Sequence, residues 1–367
     1  MKKPEAEKEG PVAAELVVQC SDIDESIEFY TRELSFRLES IFPADNPRIA
    51  VLSGAGMLIR LELAGEEIRR EKVSIRIPGR RNVRIASPEG IAIDFVEPQQ
   101  AIETREPKPE LSVTNIAPGS GWAAGRAGMK YRDLIPNRLG GYMIASHIRI
   151  ENEGPVADYV HFHDIEFQII FCLKGWARLV YEDQGVPFVF EPGDCVLQPP
   201  GIRHRVLETS GGFEVVEVSS PAEHITYADH VLELPNKEVN RERSFEGQRF
   251  AWSRASETRW QNDAVEGIEI RDTGILEAGA GAVGVRVLRA TKTGVLKIER
   301  RLNRMTFWHV IAGGFSLVCG ERMFAVSEGS SAIIPANTEL ELNGISEALS
   351  ILEVVTGQVH THHKIRS

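Results

Sequence analysis

HFHDIEFQIIFCLKG, His161–Gly175, and GDCVLQPPGIRH, Gly193–His204, are the two stretches that decide the fold of this 367-residue chain. Side chains alternate along a strand, so His161 and His163 share one face and present two neutral nitrogen donors with no turn between them. Gln168 follows, and then Gly175 ends the run. In the second stretch the Pro199-Pro200-Gly201 bend allows a hairpin to return His204 to the same face. Three imidazoles and an amide oxygen then surround one point.

This pair of stretches resembles the two motifs of the cupin superfamily, G(X)5HXH(X)3-4E(X)6G and G(X)5PXG(X)2H(X)3N. The matching positions are His161, His163, Gly175, Gly193, Pro199, Gly201 and His204. Gln168 stands where the family has glutamate, and Leu207 and Glu208 stand where an asparagine is expected. The resemblance implies a small antiparallel jelly-roll barrel holding one divalent transition metal on His161, His163, Gln168 and His204. Imidazole and amide donors suit Fe(II), Ni(II), Mn(II), Zn(II) or Cu(II), with Fe(II) the favoured expectation. Replacing a carboxylate by a neutral amide leaves the ion's charge uncompensated, which strengthens it as a Lewis acid and favours anionic, chelating substrates.

The residues around the ligands add candidates for proton transfer. Tyr159 has the strand parity of His161 and His163, and Glu166 has that of Gln168, so these two are the expected catalytic groups. The leading functional expectation is a dioxygenase acting on a small, anionic, metal-chelating organic substrate. A non-redox isomerase, lyase or decarboxylase is the first alternative, and a non-catalytic small-molecule binding protein the second.

Outside the two stretches, residues 141–232 hold many short β-branched and aromatic runs separated by Gly, Pro and Asp, as a barrel requires, and the barrel domain is expected over 113–232. Residues 251–357 repeat the pattern: GWARLV from Gly175 aligns with GGFSLV from Gly313, and EPGDCVLQPPG from Glu191 with SEGSSAIIPAN from Ser327. In the repeat the ligand positions become Glu299, Arg301, Thr306 and Leu340, and His309 has the wrong parity to replace them. A degenerate second barrel is expected, joined by a connector at 233–250 and followed by a solvated tail at 358–367 that contains His360, His362 and His363.

Before the barrels, residues 12–97 read as strand, helix and three strands. Asp22 and Glu25 form a capping box ahead of a helix whose Ile23, Ile27, Tyr30 and Leu34 share a face. The strands are expected at Arg48–Ser53, Met57–Leu63 and Ile91–Val96. VVQCSDIDESIEFYTRELSF with SPEGIAIDFVE resembles one βαβββ module of the vicinal-oxygen-chelate (glyoxalase) superfamily. That resemblance places Glu15 and Asp94 at its metal-ligand positions, with a packing or dimerisation role favoured over a second metal site. The proline-bearing stretch from 98 to 112 reads as a linker, and the glycine-rich PGSGWAAGRAG, Pro118–Gly128, as a surface loop. The fold expected is therefore mainly β: two cupin barrels preceded by an α+β module.

Composition narrows the partners. A net charge of −11 opposes broad attachment to phosphate backbones, so no nucleic acid is expected. No apolar run approaches the length of a membrane span, and the four cysteines form no CxxC pair, which suits a cytoplasmic protein with reduced thiols. A homodimer is expected because a lone βαβββ module leaves a sheet edge unpaired.

Overall fold

The computed structural model describes residues 14–32, 34–54, 56–64, 74–78, 83–86, 92–96, 109–116, 119–299 and 304–356. Most of the 98–112 linker, Arg301 and the tail with its three histidines lie outside the described residues, as do the side chains of Asp94 and Glu299. The architecture is mainly β, and the chain forms two compact units: Met1–Glu103 with Ile225–Ala228, and Thr104–His224 with Asp229–Ser367. No helix of the described residues is long and apolar enough to cross a membrane.

In the first unit, strand Glu15–Cys20 leads into helix Ile23–Arg32, whose start is capped by Asp22 Oδ1 accepting the Glu25 N–H at 2.9 Å. Acidic Asp24 and Glu25 in its first turn and Arg32 in its last complement the helix dipole. Strands Arg37–Phe42, Ile49–Gly54 and Met57–Leu63 follow, the last running parallel beside Glu15–Cys20. Cys20, Ile23, Phe36, Ile41, Ala50, Leu52, Ile59 and Leu61 form the core.

The βαβββ module is thus complete at Leu63, earlier than the sequence suggests. RLESIF, Arg37–Phe42, supplies the strand that sequence reading missed, because a register shift between Leu38 and Ser40 breaks its alternation. Strand Ala92–Val96 instead pairs with Ser74–Pro78 and Val83–Ala86, and Ser74–Pro78 pairs in turn with Glu15–Cys20. Arg76 lies in register between Glu15 and Asp94, so one strand separates these two positions. The Glu15 carboxylate lies 3.9 Å from Arg60 Nη1. Thr226–Ala228 pairs with Arg37–Phe42, so both edges of the module are paired within the chain and the argument for a homodimer loses its premise.

The second unit holds both barrels. One sheet of the first barrel runs Cys195–Gln198, Phe167–Lys174, Phe213–Ser220, Ile144–Ile150 and Lys130–Asp133; the facing one runs Phe188–Phe190, Ala177–Tyr181, His204–Thr209 and His161–His163. The second barrel repeats the plan. Gln168 pairs with Gln198 and Ser219, and the equivalent Thr306 pairs with Ile334 and Val355. Phe167, Ile169 and Phe171 with Val216 and Val218 point out of the first barrel and pack against Val283, Val285, Phe307, Leu352 and Val354 of the second. Each such buried side chain contributes roughly 2 kcal/mol.

The barrels also exchange edges. Ser112–Thr114 pairs with Ser331–Ile334 of the second barrel, while Ala251–Ser253 pairs with Cys195–Gln198 of the first. The boundaries at 113 and 251 therefore each assign an edge strand to the wrong barrel. The 233–250 connector contains the hairpin Ser244–Phe245 and Gln248–Arg249 and is anchored where Arg243 Nη1 meets Glu182 at 2.7 Å and Asp183 at 2.8 Å.

The second barrel is filled. Trp308, Val310, Phe315, Leu317, Leu340 and Leu342 occupy its interior. Glu353, 1% exposed, accepts from Arg286 Nε and Trp308 Nε1, both at 2.9 Å. Removing the cation alone strands this carboxylate: Arg286→Met should cost roughly 3 kcal/mol in urea unfolding, and the Arg286→Met, Glu353→Leu pair should recover most of it.

His309 points out of the second barrel. Its ring lies 6.4 Å from that of His147, and its Nδ1 is 3.0 Å from Ser331 Oγ. Burial, reinforced by His147 and Arg132, lowers its pKa to about 3. The folded state thus holds His309 neutral where the unfolded chain binds a proton. Stability is full above pH 6.5 and falls as pH drops toward 3. His309→Gln should flatten the acid side of the stability profile in that window, as read by urea midpoints across pH.

Candidate metal centre

His161 and His204 face each other in register on neighbouring strands, and His163 lies one pleat further on. Their ring centroids are 4.2, 5.1 and 5.2 Å apart, and one ligand atom from each lies within 4.8 Å of the others. All three are buried. The backbone fixes two tautomers: His161 Nδ1–H donates to the Tyr159 carbonyl at 2.7 Å and His204 Nδ1–H to the Ile202 carbonyl at 3.0 Å. Each Nε2 then carries its lone pair, which in His161 accepts from Arg126 and in His204 is left for a ligand. Burial lowers the pKa of His161 and His163 well below the imidazole range and that of His204 to about 4, so all three are neutral donors near neutral pH.

Gln168 reaches the barrel interior from the opposite sheet, with the same parity as Ile170, which lines the cavity. It is 1% exposed, and its Oε1 has no hydrogen-bond partner among the described residues. The three converging imidazoles suit a divalent transition metal, and the orphaned Gln168 oxygen leaves that amide free to serve as a further donor.

The described part of the glycine-rich segment is mostly exposed, as expected of a surface loop, but it turns inward at the buried Gly125. A Cβ on Gly125 would lie 2.3 Å from Tyr131 Cε2, and Ala127 and Gly128 take φ values of 54° and 74°, so the chain turns tightly against the barrel mouth. This turn inserts Arg126. Its Nη1 is 2.5 Å from Asp158 Oδ1, and its Nη2 donates to His161 Nε2 at 2.6 Å. Asp158 also accepts the Val206 N–H at 2.9 Å. Burial opposes ionisation of Asp158, but Arg126, His161, the Val206 N–H and His204 together outweigh it and hold the carboxyl below its usual range.

The two expected catalytic groups sit beside the site rather than in it. The Tyr159 ring meets His161 edge-on at 5.7 Å, its phenol is pushed up by burial, and it is not among the residues lining the cavity. Glu166 precedes its strand and accepts from Ser220 Oγ at 3.1 Å, also away from the cavity lining. Other groups take those places. Tyr181 stacks on His204 at 5.5 Å, and burial, then Glu217, push its phenol up. Glu217 and Gln198 also line the cavity. His224 donates from Nδ1 to the Pro221 carbonyl at 3.2 Å, and its ring lies 5.2 Å from that of His163. The repeat could have revealed Glu217, since it aligns with Glu353. Nothing in the local sequence marks Arg126.

Residues 148–219 match the family model for the cupin domain. No curated protein matches. Among solved structures, oxalate decarboxylase from Bacillus subtilis at pH 4.6 is 13% identical, with 71% of this chain and 79% of that one covered and a TM-score of 0.50. A second structure of that enzyme, from work on its Mn(II) centres, is 12% identical over 71% of this chain and 80% of that one, also at 0.50. At these identities the likeness establishes the bicupin fold.

His204→Ala should lower the metal content of protein purified without a histidine tag from stoichiometric to background. Gln168→Glu should retain metal and bind it more tightly, because a carboxylate compensates the ion's charge; elemental analysis and competition with a chelator read both.

Proposed function

We propose that this chain is a metal-dependent cupin enzyme that cleaves or decarboxylates a small carboxylic acid. The observation that carries this reading is the Arg126 guanidinium, 2.6 Å from the donor nitrogen of His161 and fixed from behind by Asp158. A divalent metal held by His161, His163, His204 and Gln168, either Mn(II) or Fe(II), supplies Lewis acidity toward a bound carboxylate. With the metal on His161 Nε2, Arg126 would release that nitrogen and pair with the same carboxylate, setting its orientation as guanidinium forks do. Asp158, already neutralised by Arg126, keeps the fork from rotating away. Tyr181, held protonated, is the hydroxyl placed to deliver a proton to the product. Tyr159 contributes its carbonyl, which orients His161. The oxalate decarboxylase structures support this reading through their shared fold.

A dioxygenase is the second reading. It is favoured by the apolar wall of Met129, Ile148, Ile150, Leu179 and Val215, which suits O2, and by a neutral donor set that raises the reduction potential of iron. Incubation with a panel of small mono- and dicarboxylic acids separates the two: carbon dioxide or another cleavage product without oxygen uptake supports the first, and stoichiometric oxygen uptake the second. Arg126→Met should lower kcat/KM by about 100-fold or more with metal content retained, while Arg126→Lys recovers part of the loss. An unchanged kcat/KM in Arg126→Met would refute the carboxylate role.

A further inference from the structure

Across the barrel from the imidazoles lies a transverse row of polar side chains whose hydrogen-bonding capacity is largely unused. Gln198, Gln168 and Ser219 are in register on three adjacent strands and are 1%, 1% and 0% exposed. Both Oε1 and Nε2 of Gln198, Oε1 of Gln168 and Oγ of Ser219 have no partner among the described residues. Buried polar atoms are almost always paired, and a fully buried primary amide with both ends open is costly to keep.

The second barrel shows that the fold does not require this row. Its equivalent positions are Ile334, Thr306 and Val355, and the row disappears together with the histidines. The neighbouring row changes in the same sense. Glu353 faces Trp308 and Arg286, which hold it, whereas Glu217 faces Ile170 and Ser146 and lines the cavity. The polar row therefore belongs to the site. The Gln168 oxygen serves the metal, which leaves Gln198, itself a cavity-lining residue, and Ser219.

The chemistry of the open atoms selects the ligand group. Nε2 of Gln198 must donate and Oε1 must accept. A carboxylate, ketone or ether only accepts, and an ammonium only donates, whereas a hydroxyl does both. We infer that Gln198, assisted by Ser219, reads a hydroxyl on the substrate, so that the acid held by Arg126 is a hydroxycarboxylate. This rests on the carboxylate reading above. Gln198 is a specificity residue here and takes no part in bond cleavage.

The test is calorimetric binding of butyrate, 2-hydroxybutyrate and 3-hydroxybutyrate to the metal-loaded full chain and to Gln198→Leu and Ser219→Ala, with metal content and far-UV circular dichroism as controls. The wild type should bind one hydroxy acid about tenfold or more tighter than butyrate, the margin expected when a buried polar group loses its partner. Gln198→Leu should erase that margin with butyrate affinity unchanged, and Ser219→Ala should narrow it. Butyrate binding with no hydroxyl margin in the wild type, or a margin that survives in Gln198→Leu, overturns this inference and leaves the carboxylate reading standing. If no acid binds the wild type, both are overturned.

Discussion

Strand alternation in Phe167–Lys174 sets the terms for the rest of the molecule. Its odd residues, Phe167, Ile169 and Phe171, are committed to the contact between barrels, so its even residues, Gln168, Ile170 and Cys172, necessarily face the interior of the first barrel, where Ile170 lines the cavity. A slip of one residue would put Gln168 among valines and Phe167 against the imidazoles. The apolar contact between the two sheets therefore locks the register of the metal site, although no residue of that contact touches a ligand. The inner residues can vary freely in polarity because the outer ones carry the stability.

The two barrels illustrate that freedom. They share strand order and register, yet one holds a cavity that the three histidines line and the other fills the equivalent space with Trp308. Trp308 takes the place of Ile170, Ile334 that of Gln198, and Arg286 that of Ser146. Once Trp308 fills the space, Glu353 can remain only with a cation and an indole N–H beside it. The inert barrel offers its neighbour a rigid back wall, and His309 and His147 meet across that wall rather than in either interior.

Much of this was legible from the sequence, for identifiable reasons. The HxH spacing, the glycines and the Pro-Pro-Gly bend are local, and local rules of strand and turn geometry read them correctly: the three histidines converge as expected. The internal repeat likewise reports the second barrel and its loss of ligands. What escaped depends on distant contacts. Arg126 becomes a site residue only because the turn around Gly125 meets Tyr131, and Tyr159 and Glu166 have the right parity in sequences that do not remain in regular strand around them. In the first unit the register shift at Leu38–Ser40 concealed a strand; the three strands expected after it are present, but the module closes at Met57–Leu63 rather than at Ile91–Val96.

The reciprocal edge strands have a bearing on how the chain comes to be folded. Ser112–Thr114 is synthesised before the first barrel but completes the second, and Ala251–Ser253 completes the first only after that barrel's own strands have been made. As the chain emerges, the first barrel must wait with an open edge on Cys195–Gln198, the strand that carries Gln198 and leads into the Pro-Pro-Gly bend before His204. Closure of that edge and closure of the neighbouring barrel are thus tied to one another. The two barrels, alike in register and different in content, are linked through the segments that close their sheets.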